Sequence, residues 1–183
     1  KKNMATETEI ESNLSPDERK AQSDLRPLAS EIKTATLGTV DAHGAPEASY
    51  SPFVTDEAGC LYVYVSALAR HTGNLKRTGK ASLMLIEDES ASANVHARRR
   101  VTWNCEAEPI ERDSDAFHTG MARFVERFGE TSENLSTMRD FTLFRLTPRS
   151  GRIVLGFGKA FRVSGWRIES HMRGRHRPGK QSR

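Results

Sequence analysis

Cysteine is scarce in this chain, with Cys60 and Cys105 the only two among 183 residues. Two scattered thiols build neither a disulfide framework nor a thiolate metal site, and such usage suits a reducing compartment. No apolar run reaches the roughly 20 residues of a membrane-spanning helix, and no secretory apolar core is read near residue 1. The expected setting is therefore cytoplasmic, without a membrane partner. Short catalytic signatures are missing as well. There is no Gly-X-Gly-X-X-Gly after a strand pattern, no phosphate-loop Gly-Lys-Ser/Thr, no Gly-X-Ser-X-Gly and no His-Glu-X-X-His. These absences argue against a dinucleotide fold, a P-loop enzyme, a serine hydrolase and a zinc enzyme. Acid is absent from residues 171–183, where Arg173, Arg175, Arg177, Lys180 and Arg183 supply five positive charges. The whole chain carries +4, so the remainder stands at −1. A nucleic-acid binder carries its basic face on the folded domain. Here basicity belongs to the tail, and nucleic acid is not an expected partner.

What is present reads as a small β domain with helices around it. Residues 1–14 are polar, and a mobile segment is expected there. Ser15, Pro16 and Glu18 supply an N-cap, a first-turn proline and a capping box. Leu25, Leu28, Ala29 and Ile32 follow at helical spacing, predicting a helix over 16–34. "TATLGTVDAHGAPEASYSPFV" reads as two strands about a turn at Asp41–Gly44, and "DEAGCLYVYVS" as a second turn and strand. "ARHTGNLKRTGKASLMLIED" reads as a short helix, a glycine break and a strand. In "ARRRVTWNCEAEPIE", Val101, Trp103 and Cys105 share one strand face, and Arg98, Arg100 and Thr102 the other. Ser114–Phe128 is expected as a helix with a stripe of Phe117, Met121, Phe124, Val125 and Phe128, stopped by Gly129.

Two last strands are read in "FTLFRLTP" and "GRIVLGFGKAFRVSG". The second places Ile153, Leu155, Phe157, Phe161 and Val163 on one face. Gly156, Gly158 and Ala160 leave the other face bare, as where a flat ligand approaches. A tight bend or bulge is the competing reading. About six strands at regular spacing predict an antiparallel barrel.

Several side chains are candidates for chemistry. His71 stands beside Arg70, Lys76 and Arg77, a basic turn suited to a phosphate or carboxylate unless it is simply a solvated helix face. Arg98 and Arg100, on one strand face, make an anion clamp if that face lines a pocket. His43, His96 and His118 have no second ligand at metal spacing. His171 and His176 lie among the tail arginines, where an end-of-chain histidine is more often frayed than functional.

The blocks "SALARHTGNLKRTGKASLMLIEDE", "ARRRVTWNCEAEPIERDS", "RFGE" and "DFTLFRLTPRSGRIVLGFGKAFRVSG", with the first hairpin, resemble the HugZ/HutZ heme-utilisation proteins. That family is a branch of the pyridoxamine-phosphate-oxidase-like, FMN-binding split barrels. The resemblance covers about residues 30–165 and continues more loosely to the tail. It implies a mainly β, dimeric split barrel with peripheral helices over 15–165, and a ligand-bearing tail over 166–183. It further implies a heme-degrading oxygenase that opens the porphyrin with O₂ and an external electron donor. By the same resemblance the tail supplies the axial iron ligand, His176, with His171 as the alternative. Asp140, in "DF", hydrogen-bonds that imidazole across the dimer, and Arg100, closing the "ARxR" motif, is the pocket arginine. His71 matches a further family histidine. Two rival readings remain. One is an FMN enzyme with the phosphate near Arg70, His71 and Lys76; the other is a non-catalytic heme carrier. Gly156 and Gly158 are the expected bed for the porphyrin face.

Overall fold

A computed structural model describes residues 13–172. The first helix, α1 (Pro16–Glu31), begins as its capping residues dictate. The Ser15 hydroxyl accepts from the Glu18 amide at 3.3 Å, while the Ser15 amide donates to the Glu18 carboxylate at 2.8 Å. Its buried stripe of Ala21, Leu25, Leu28 and Ala29 joins the principal core, with Ile32 packed beside it. The helix stops three residues earlier than the periodicity suggests, because Thr34 already pairs as the first residue of a strand.

Six antiparallel strands close a barrel: β1 (Thr34–Val40), β2 (Pro46–Thr55), β3 (Leu61–Ser66), β4 (Lys80–Ile86), β5 (Arg100–Pro109) and β6 (Phe141–Val154). Their order is β3-β2-β1-β4-β5-β6, and pairing of β3 with β6 completes the ring. Between β3 and β4 lies α2 (Arg70–Thr78), and between β5 and β6 lie α3 (Asp115–Phe128) and α4 (Glu130–Ser136). Two further strands, β7 (Ala160–Ser164) and β8 (Arg167–His171), extend the sheet beyond the β6 edge. In the principal core, Leu37, Phe53, Leu83, Val101, Trp103, Phe144, Ile153 and Phe161 are fully or almost fully buried. The indole N–H of Trp103 donates to the Gly165 carbonyl at 2.7 Å, so the large side chain leaves no buried donor unpaired.

The expected last strands are redrawn by the structure. "FTLFRLTP" does not stop at Pro148; β6 runs on to Val154, and its register with β5 shifts where Trp103 and Cys105 face Gly151 and Pro148, leaving one extra residue in β6. Gly151 is a close-approach residue rather than a break. A Cβ there would lie 2.1 Å from the Thr102 carbonyl oxygen. The predicted continuous strand through Gly156 and Gly158 is instead a hairpin. Both glycines have positive φ, 148° and 69°, and Leu155 and Lys159 close the turn with an amide-to-carbonyl bond of 2.9 Å. Their lack of side chains is accounted for by turn geometry, and Phe157, expected in the core, is 70% exposed at the turn. The sheet also continues past residue 165: Gly165 turns the chain at φ 55°, and β8 pairs back on β7. The expected start of the tail at 166 therefore falls inside the sheet. The α3 stripe packs within the chain, with Phe117, Met121 and Phe124 buried against Val54, Tyr64 and Leu143.

Candidate functional site

The arginine strand and the acid cluster before it fold onto each other. Glu87, 9% exposed, accepts from the Arg99 amide and from Arg99 Nε, both at 2.7 Å. Burial pushes the Glu87 carboxyl up, but the hydrogen bonds and charge of Arg99 outweigh it and hold the group below its ordinary value. Arg99 also reaches Glu31 at 3.1 Å, and Arg98 binds the Glu87 carbonyl and the Glu89 carboxylate. Arg98 lies before β5 and is consumed there, so the expected clamp of Arg98 with Arg100 is not built. Arg100 differs from its neighbours. Its side chain donates to the Arg98 carbonyl at 2.9 Å, and it forms no carboxylate pair among the described residues.

Cross-strand register sets what lies beside Arg100. Arg100 pairs with Val154, Val154 with Ala160, and the Met172 amide donates to the Ala160 carbonyl at 2.6 Å. One row across the sheet thus joins an unneutralised guanidinium, two small apolar side chains and the residue from which the tail departs. His171 is bound into this end of the sheet. Its amide donates to Glu18 Oε1 at 3.0 Å, and its Nε2 lies 2.8 Å from the Gly158 carbonyl, which can only accept. The ring edge rests on Phe161 at a centroid distance of 4.9 Å. Its Nδ1 is buried with no partner among the described residues. His176 lies outside the described residues.

Asp140 stands at the other end of β6. Its carbonyl accepts from the Ala67 amide at 2.7 Å, and its exposed carboxylate accepts from the Ser66 hydroxyl at 3.3 Å. This joins it to the "SALARH" segment, where the Ser66 carbonyl accepts from Thr72 and Ala69 to start α2. Arg70 is exposed on the first turn of that helix, whereas His71 is buried with Thr72, Asn74 and Leu75. Lys76 sits six residues after Arg70, about 240° around the helix at about 100° per residue. The phosphate cluster of Arg70, His71 and Lys76 is therefore not assembled on one face. Within one chain, β6 separates Arg100 from Asp140 by its full length.

His71 yields a test of its burial. Desolvation lowers its pKa from the usual 6.5, with the Glu47 charge opposing. The unfolded chain then binds more protons, so this contribution is present above about pH 6.5 and is lost as pH falls through the lowered native value. Replacing His71 by Gln is expected to flatten the decline of melting temperature between about pH 6.5 and 5; an unchanged slope would contradict the assignment.

An open, mainly apolar groove of about 890 Å³ lies over β1, β2, β4 and β5, lined among others by Val40, Ala48, Lys80, Ala81, Cys105 and Arg149. No helix among the described residues is long and apolar enough to cross a membrane.

A closed six-strand barrel extended by a hairpin defines a split-barrel protein. Residues 21–155 match the family described as pyridoxamine 5'-phosphate oxidase. Heme oxygenase HutZ of Vibrio cholerae is 44% identical over 142 residues, covering 78% of this chain and 80% of HutZ. A crystal structure of Vibrio cholerae HutZ, described as a heme storage protein, superposes with a TM-score of 0.68 at 40% identity, covering 73% of this chain and 93% of that one. Campylobacter jejuni ChuZ superposes with a TM-score of 0.79 at 27% identity, over 92% and 72%. The chain belongs to the HugZ/HutZ heme-utilisation branch of the pyridoxamine 5'-phosphate oxidase family.

The residues present suit a heme. Arg100 offers an unneutralised cation beside the small apolar surface of Val154 and Ala160, and a histidine-bearing segment follows directly from Met172.

Proposed function

We propose that this protein is a heme-degrading oxygenase acting as a homodimer, with an external electron donor. The observation that carries the reading is the row from Arg100 through Val154 and Ala160 to the root of the tail, in a chain similar to a heme oxygenase. Bound heme supplies an O₂-activating iron and is itself the molecule that is opened. The protein's residues bind, orient and tune it. His176 is assigned as the axial ligand. His171 is the weaker candidate, because its Nε2 is engaged by Gly158 and its ring packs on Phe161. Arg100 pairs with an anionic group of the ligand. Gly156 and Gly158 border the site as a hairpin, and His71, the last residue of "SALARH", is buried in α2.

Asp140 accepts the hydrogen bond of the ligand imidazole's other N–H, fixing its tautomer and making it a stronger donor to iron. The placement of Arg100 and Asp140 at opposite ends of β6 supports a site completed by two chains, with Asp140 of one subunit serving the ligand from the other. The apolar groove over β1, β2, β4 and β5 offers surface for that association. Light scattering at micromolar concentration is expected to give the mass of a dimer, and a monomer's mass would contradict this.

The FMN reading loses its phosphate site with the separation of Arg70 and Lys76 around α2. A heme carrier is the second reading, favoured by the description of the Vibrio cholerae structure as a storage protein. Titrating purified protein with hemin tests the ligand. A saturable Soret band at one hemin per site is expected, whereas a protein that purifies yellow with flavin and gives no such band would support FMN.

A further inference from the structure

Two strand arginines face acids: Arg145 lies opposite Glu108 and bonds it, and Arg149 bonds Glu106 at 2.6 Å. Just before β5, Arg99 binds both Glu87 and Glu31. Arg152 is placed differently. Its neighbours across the sheet are Thr102 on one side and Arg162 on the other. Directly opposed side chains in an antiparallel pair have Cβ atoms about 4.5–5.5 Å apart, and like charges there repel. Among the described residues, neither Arg152 nor Arg162 has a carboxylate partner or a side-chain hydrogen bond. The tail cannot relieve them with acidic side chains, since residues 173–183 contain none.

The place is also concave. Arg152 and Arg162 line a polar cavity of about 290 Å³ together with Thr102, Asn104, Ser150 and Met172. Thr102 and Ser150 contribute hydroxyls, and the Asn104 amide donates to Ser150 at 3.4 Å. Arg100 stands on the same outward face, two residues from Thr102 along β5. The cavity thus opens beside the Arg100 row, at the point where the tail begins.

We propose that Arg152 and Arg162 form an anion clamp for a propionate carboxylate of the bound heme, an assignment that rests on the heme reading above. Two guanidiniums facing each other present converging N–H donors, and a carboxylate between them turns a repulsive pair into two charge-assisted contacts. The arrangement holds one edge of the porphyrin.

The test compares hemin with hemin dimethyl ester, whose propionates are uncharged, by absorbance titration of the full chain. The parent is expected to prefer hemin. The double variant Arg152→Gln/Arg162→Gln is expected to bind hemin roughly tenfold more weakly and the ester with parental affinity. Arg167→Gln removes a β8 charge outside this cavity and is expected to leave both affinities unchanged. Without ligand the double variant is expected to melt no lower than the parent, because a repulsion has been removed.

Parental hemin affinity in the double variant would overturn the clamp, as would an equal loss toward hemin and ester. Inorganic phosphate is the probe for a free anion. Phosphate binding to heme-loaded parent, lost in the double variant, would assign the arginines to a free anion and overturn the propionate assignment. Failure of the parent to bind hemin would remove the heme reading and the clamp with it. Binding by the parent with an unaffected double variant would remove the clamp alone.

Discussion

His176→Ala is expected to abolish the native axial ligation and to leave no measurable ring opening, while His171→Ala keeps the parental ligand signature. One imidazole–iron bond sets the identity of the proximal ligand, and the tail offers no good substitute. Arg173, Arg175, Arg177 and Lys180 are of residue types ordinarily protonated at neutral pH, with no lone pair to offer iron. Hemin is still expected to associate, because Arg100 and the small apolar row remain. The measurement is therefore the Soret and ligand-field spectrum of the iron rather than bound heme alone. His171→Ala has a different cost. It removes the bond to the Gly158 carbonyl and the contact with Phe161, so a lower melting temperature is expected without a change of ligand type. An unchanged spectrum in His176→Ala together with a changed one in His171→Ala would transfer the ligand to His171.

Asp140→Asn is expected to retain hemin affinity within a few-fold and to slow ring opening about 10–100-fold, the usual range for losing a group that orients a metal ligand. An amide oxygen still accepts from an imidazole N–H, but it lacks the charge that makes the ring a stronger electron donor. The fold should tolerate the change. The Asp140 carbonyl that accepts from Ala67 belongs to the backbone, and the Ser66 hydroxyl can donate to an Asn oxygen as it does to the carboxylate. Single-turnover rates with ascorbate and O₂, read beside melting curves, check both halves. A parental rate in Asp140→Asn would remove the assigned role.

Much of the fold is legible in local sequence because local chemistry decides it. Ser15 and Glu18 mark the start of α1, Asp41–Gly44 and Asp56–Gly59 mark the hairpins, and alternation along β5 buries Val101, Trp103 and Cys105. The places where sequence and structure part are those decided by distant partners. Pro148 and Gly151 look like a break until the register shift between β5 and β6 and the approach of Thr102 are known. Gly156 and Gly158 alternate as strand residues do, but their positive φ values belong to a turn. The short α4 carries no apolar periodicity long enough to announce it.

The site divides the same way. Resemblance singles out Asp140 and Arg100, but only topology shows that β6 holds them apart in one chain. Spacing pairs Arg98 with Arg100, whereas Glu87 and Glu89 claim Arg98 first. The opposition of Arg152 and Arg162 depends on the register of a hairpin that the strand pattern conceals.

The most direct measurement is the fate of the Soret band when hemin-loaded protein receives ascorbate in air. Stoichiometric hemin binding is expected first, followed by bleaching of the Soret band and release of iron with an open-chain tetrapyrrole. Catalase is included so that free peroxide cannot account for the bleaching. A Soret band that persists through many equivalents of reductant, with intact heme recovered by extraction, would contradict oxygenase activity and identify a carrier.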